Sequence, residues 1–63
     1  MDGLWYLEYE ERGKWIRSIK TLNGPLPWAS CLDWFASEDV EHYRYRLVFA
    51  NNPSIKIPLA LMD

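Results

Sequence analysis

The chain has 63 residues, of which 49% are hydrophobic, 16% aromatic and 25% charged, and 7 Lys+Arg stand against 9 Asp+Glu for a formal net charge of −2. A chain this apolar and this weakly charged is not a disordered tail, and with 3 Gly and 4 Pro it is not a collagen-like or low-complexity segment. A single Cys rules out an internal disulfide framework, and one Cys with one His argues against a structural zinc site of four N or S ligands.

The length allows one small α+β domain spanning residues 1–63, whose core must come from four Trp, four Tyr and two Phe. Little is left over to enclose a ligand pocket of about 300–1,000 Å³, which argues against an enzyme and against a bound cofactor. The N-terminal Met1-Asp2-Gly3-Leu4-Trp5 has no basic, apolar leader pattern. No stretch approaches the ~18 apolar residues of a membrane span. With its free Cys, the chain reads as a complete, cytoplasmic protein with no membrane partner.

Residues 4–10, Leu-Trp-Tyr-Leu-Glu-Tyr-Glu, are aromatic-rich, lie between Gly3 and Gly13, and predict a strand; residues 14–20 predict a second. A three-residue loop, Glu11-Arg12-Gly13, pairs Glu10 with Lys14 and Tyr9 with Trp15. Trp5, Leu7, Tyr9, Trp15 and Ile19 then share the core face, with Arg17 reaching out over the sheet edge. A two-residue turn would instead send Ile16 and Ser18 inward. The three-residue loop is the preferred register.

Asn23-Gly24-Pro25 is turn chemistry, and Pro27 suits the first turn of a helix. From Trp28 to Glu38 the apolar period becomes helical, with Trp28, Cys31, Leu32 and Phe35 on one stripe. Ser30-Cys31-Leu32-Asp33 offers an alternative start as a capping box. Trp34 falls off the stripe and is read as folding over the helix edge onto the loop at 21–27.

Residues 42–50 alternate, with Tyr43, Tyr45, Leu47 and Phe49 inward and His42, Arg44 and Arg46 outward. Asn51-Asn52-Pro53-Ser54 is a turn, and residues 55–61 form a last strand whose Pro58 places it at a sheet edge. Pairing Phe49 with Ile55, Leu47 with Ile57, Tyr45 with Leu59 and Tyr43 with Leu61 keeps the apolar set on one face. The expected fold is therefore β-β-α-β-β: a four-stranded antiparallel sheet, order 2-1-3-4, with one helix packed on one face.

No catalytic or phosphate-binding motif is present. Cys31 lies on the buried stripe, where it reads as a small hydrophobe rather than as the nucleophile of a dyad with His42. Asp33, Glu38, Asp39 and Glu41 gather at the helix C-terminus and read as a solvated rim or a partner contact. Arg44, Arg46, Lys56 and Tyr6 fall on the face away from the helix, where Glu8 and Glu10 can pair with the two arginines. Those carboxylates and the negative net charge oppose nucleic-acid binding.

In Trp5-Tyr6-Leu7-Glu8-Tyr9, Gly13-Lys14-Trp15, Trp34-Phe35-Ala36-Ser37 and Tyr45-Arg46-Leu47-Val48 the chain resembles small β-β-α-β proteins of bacterial and phage genomes. The likeness carries no catalytic residues across. The expected role is a non-enzymatic protein-binding module, of the kind a phage or mobile element uses as an accessory or inhibitor protein docked on a larger host protein. Tyr6, Trp34, Asp33, Glu38, Asp39, Arg44 and Arg46 are the candidate contacts. The other two readings are a nucleic-acid binder using the open sheet and a structural protein that self-associates, as a homodimer joined through the 14–20 edge or the open face.

Overall fold

The computed structural model describes residues 2–38 and 42–59. It is an α+β fold in which one helix lies on one side of an antiparallel sheet. The strands are β1 (Leu4–Glu11), β2 (Lys14–Arg17), β3 (Leu26–Pro27), β4 (Arg44–Phe49) and β5 (Lys56–Leu59), and the helix α1 is Trp28–Ala36. Among the described residues the sheet thus has five strands, not the expected four. Its path is β2-β1-β4-β5, with the short β3 also paired to β1, in place of the simple order 2-1-3-4. The added strand comes from the segment read as pure turn. Leu26 precedes Pro27 and is biased to extended backbone, which lets it pair with Trp5 while Pro27 lies opposite Leu4.

β1 is the organising strand. One edge pairs with β4, from Trp5↔Phe49 to Glu10↔Arg44. The other edge is covered by three separate pieces. β2 covers Glu8 to Glu11, β3 covers Leu4 and Trp5, and the gap at Leu7 is closed by Ser18 and Thr21. The expected strand over 14–20 stops at Arg17, because the chain turns into a 3-10 turn at Ile19–Thr21. There the Ser18 amide donates to the Leu7 carbonyl at 2.8 Å. The Leu7 amide donates to the Thr21 hydroxyl at 3.2 Å, and that hydroxyl lies 3.3 Å from the Leu7 carbonyl. Thr21 is fully buried, so its side chain completes a ladder that no strand reaches.

The first hairpin corrects the expected register. Glu11 pairs with Lys14, Glu10 with Trp15 and Tyr9 with Ile16, around a two-residue turn. Arg12 and Gly13 take φ of 53° and 78°, the paired left-handed geometry that fits the twist of a two-residue hairpin. A one-residue slip reverses every side chain. Trp15 and Arg17 therefore lie on the face away from the helix, and Ile19, expected inward, is 75% exposed. At the other end Gly3, with φ of 91°, leaves room for the Phe49 ring in the space a side chain would need.

α1 begins at Trp28 with Pro27 as its N-cap, so Ser30 lies inside the helix and opens no capping box. It ends two residues before the expected Glu38. The Ser37 hydroxyl donates to the Trp34 carbonyl at 2.8 Å, taking up one of the acceptors the helix end exposes. The apolar stripe packs as expected. Cys31 and Phe35 are buried against Trp5, Leu7, Tyr45 and Leu47, with Trp28 and Leu32 at the margin. Edge-on ring contacts join Trp5 to Trp28 at 5.1 Å and Phe35 to Tyr45 at 5.4 Å.

The second hairpin follows the expected register, with Tyr45↔Leu59 and Leu47↔Ile57. The Phe49 amide donates to the Ile55 carbonyl at 3.0 Å, which closes the loop over 50–54. β4 is shorter than the 42–50 read from the pattern, and β5 begins at Lys56 rather than Ile55. The pairing of Tyr43 with Leu61 lies outside the described residues.

Candidate functional site

The registers decide which side chains meet on the open face. β1 contributes Tyr6, Glu8 and Glu10; β2 contributes Trp15 and Arg17; β4 contributes Arg44, Arg46 and Val48; β5 contributes Lys56 and Pro58. Glu8 stands directly between Arg17 and Arg46, and Glu10 between Trp15 and Arg44. Opposite charges placed across neighbouring strands attract, and the geometry realises this.

Arg46 is the most tightly held of these groups. Its Nε and Nη2 both lie 2.8 Å from Glu8 Oε1, and its guanidinium carbon sits 4.2 Å from the centre of the Trp15 ring. The two charged side chains are only 20% and 14% exposed, so the pair is less screened than an ordinary surface pair. Arg17 lies 3.6 Å above the Tyr6 ring. Both contacts place a cation on the electron-rich face of an aromatic ring. Arg44 is looser: its Nε is 3.4 Å from Glu10 Oε1 and its side chain is 77% exposed. Lys56 donates to the Pro53 carbonyl at 2.8 Å.

Between these groups lies a cleft of about 290 Å³, lined mainly by Trp15, Arg44, Arg46, Lys56, Pro58 and Leu59. Its floor is apolar and its rim cationic. Arg17, Arg44, Arg46 and Lys56 against Glu8 and Glu10 leave this face a surplus of two positive charges, on a chain whose formal net charge is −2.

The candidate contacts do not form one patch. Tyr6, Arg44 and Arg46 share the open face. Asp33 and Trp34 lie on the outer side of α1, in a shallow concavity with Ser30 and Ser37. Trp34 is 40% exposed, and the Lys20 ammonium of the 3-10 turn lies 4.3 Å from its ring centre. Its neighbour there is the turn just before the loop at 21–27. Glu38 belongs to a third place, a cleft with Tyr9, Glu11, Ile19 and Tyr43 beyond the end of the helix. Asp39 and Glu41 lie outside the described residues. Sequence reasoning missed Trp15 and Arg17 on the open face. The one signal for them is Gly13 as the second residue of a two-residue turn, a weak one because Arg12 must then also take left-handed backbone.

Cys31 is fully buried, and its thiol faces the carbonyls of Trp5 at 3.5 Å and Leu26 at 3.7 Å. Burial pushes the thiol pKa up, against a smaller downward pull from the Leu26 carbonyl contact. A buried thiol that keeps its proton is a poor nucleophile. Among the described residues no group of three or more His, Cys, Asp and Glu is placed to hold a metal ion. No described helix is long and apolar enough to cross a membrane. The chain matches no protein-family model, no curated protein and no solved structure.

Proposed function

We propose that the chain is a non-enzymatic protein-binding module that docks on a larger protein through the open face of its sheet, as an accessory or inhibitor does. One observation carries this reading: Arg46, already stacked on the Trp15 ring, stands at an apolar cleft with a cationic rim, and on the same face Arg17 is stacked on Tyr6. Tyr, Trp and Arg are the residue types that dominate binding energy at protein interfaces. Arginines fixed before contact lose less freedom on binding. Glu8 and Glu10 interrupt the basic face, so it offers no continuous track for a phosphate backbone.

The test places a photo-crosslinking residue at Arg44, at Lys56 or, as a control on the opposite side, at Trp34, in cells that express the chain. Protein adducts from the first two positions and not from the third are the expected result. The adduct is then purified as a binary complex, which Arg44→Glu should weaken. Adducts from Trp34 alone, or adducts with nucleic acid, overturn the reading.

A further inference from the structure

We infer that the open-face cleft takes an acidic segment of the partner protein carrying one apolar anchor side chain, an inference that rests on docking through this face. The cleft has two parts with different chemistry. Trp15 and Pro58 offer an apolar floor, and Arg44, Arg46 and Lys56 stand around it. An apolar side chain on the floor brings the backbone and flanking residues of its segment beside three cations. The complementary flanks are carboxylates.

The three cations are not equally ready. Glu8 already engages Nε and Nη2 of Arg46, and the remaining Nη1 meets no carboxylate among the described residues. Arg46 is thus fixed in place with one edge to offer. Arg44 is held at 3.4 Å by a carboxylate it can leave, and its side chain is 77% exposed, so it can swing to a ligand at little cost. The surplus of two charges on this face opposes the sign of the whole chain, so attraction of an acidic segment is local to the cleft.

Two rival occupants follow from the same features. A nucleic acid would use the cations but has to pass the carboxylates of Glu8 and Glu10, which alternate with them. A second copy of this chain would offer Asp33 and Trp34, an acidic and an aromatic residue side by side on α1. The partner segment is preferred over both, because a few carboxylates flanking one anchor can sit beside Arg44 and Lys56 without running a continuous phosphate backbone past Glu8 and Glu10, and without bringing a whole domain onto a small cleft.

The experiment is a ¹⁵N NMR titration of the full chain with short acetylated peptides of Asp and Glu around a central Leu or Trp. Matched peptides with Asn and Gln for the acids, and a single-stranded thymidine oligomer, are run beside them. Saturable shifts of the Trp15 indole N–H and the Arg44 and Arg46 Nε–H signals are expected with the acidic peptides. Affinity should fall about tenfold or more when salt rises from about 50 to about 200 mM, and again in Arg44→Glu and Lys56→Glu. Asp33→Asn should leave it unchanged. Equal binding of the neutral peptides, tighter binding of the oligomer, or self-association that Asp33→Asn abolishes would overturn the inference. If Arg44 and Lys56 positions crosslink to a protein while the acidic peptides leave Trp15 unmoved, the acidic chemistry is wrong and docking through this face stands. If both experiments fail, both readings fall.

Discussion

Leu47 and Val48 are neighbours in β4, 0% and 6% exposed, yet they are covered by different kinds of side chain. Leu47 points under α1 into a cluster with Trp5, Leu7, Cys31, Phe35 and Tyr45. Val48 points to the open face, between Tyr6 and Lys56 in register, and belongs to no such cluster. On the helix side, water is excluded by aliphatic and ring packing. On the open side it is excluded by side chains with charged ends, whose stems and rings lie over the sheet. Among the described residues one α-helix covers one of the two sheet faces. The uncovered face is made compact by cross-strand pairs, and a surface made in that way remains able to bind.

The largest effect separates the two faces by truncation. Leu47→Ala should cost about 2–5 kcal/mol, since it removes packed atoms and leaves a cavity under a helix that cannot fully collapse onto it. That is most of the stability of a domain this small, so the variant should be largely unfolded in circular dichroism at room temperature. Val48→Ala removes two carbons, each worth about 0.8 kcal/mol, and the flexible side chains above can settle into the space. Urea midpoints compare the two. Equal losses would mean that the open face is packed like the core, and the contrast between the faces would be lost.

The second effect concerns the seam between the faces, where Thr21 completes β1. Thr21→Val keeps the shape and removes the hydroxyl that accepts from the Leu7 amide. Leaving that buried amide unpaired should cost about 1–3 kcal/mol. Thr21→Ser keeps the hydroxyl and should lose much less. Hydrogen exchange at Leu7 gives an independent reading: its amide should exchange faster in Thr21→Val relative to its neighbours. If Thr21→Val is as stable as the parent, the side-chain bridge is not what holds the edge of β1.

Alternation made β1, β4 and the second hairpin legible, because each carries an apolar residue at every second position and only one register keeps Leu47 opposite Ile57. The helical stripe was legible for the same reason. The first hairpin was not. Trp15 and Ile16 are both apolar, so either can be sent inward, and the deciding fact is that Arg12 tolerates a left-handed backbone. Most residues other than Gly, Asn and Asp pay for that conformation, so the sequence argues weakly against what the hairpin adopts. β3 was hidden because two residues carry no period. Thr21 was hidden because its partner is the backbone, which every residue shares. Most of the open face, Tyr6, Glu8, Glu10, Arg44, Arg46 and Lys56, was readable from alternation. Trp15 and Arg17 followed the misread turn.

Cys31 offers a pH test confined to the helix side. Burial raises the thiol pKa in the folded chain above its ordinary value. At pH values below the ordinary thiol pKa of about 8.5, both states hold the proton and this group adds no pH dependence. Above it the unfolded chain releases the proton while the folded one keeps it, so stability contributed by Cys31 falls as pH rises. Urea midpoints between about pH 7 and about pH 9.5 should show a decline in the parent that is smaller in Cys31→Ala. Labelling by a thiol reagent should follow the unfolding rate. Rapid labelling of the folded protein would mean that the helix side is open enough to admit the reagent.

The smallest effect distinguishes two ion pairs on the same face. Glu8–Arg46 has two contacts at 2.8 Å, a Trp15 ring against the guanidinium and little exposure; Glu10–Arg44 has one contact at 3.4 Å and a side chain mostly in water. Exposed pairs contribute about 0.2–1 kcal/mol and often nothing measurable, because ordering two long side chains offsets most of the attraction. Double-mutant cycles with Glu→Gln and Arg→Met should therefore place Glu8–Arg46 near the top of that range and Glu10–Arg44 near zero. Added salt at about 1 M should erase what remains of the second coupling and leave most of the first, since partly buried charges are screened less. Trp15→Leu should lower the first coupling without touching the second, because the ring holds Arg46 in the orientation that meets Glu8. Equal couplings, both abolished by salt, would show that Arg46 is as free as Arg44. The open face would then be a solvated set of charges rather than a surface ordered in advance of its partner.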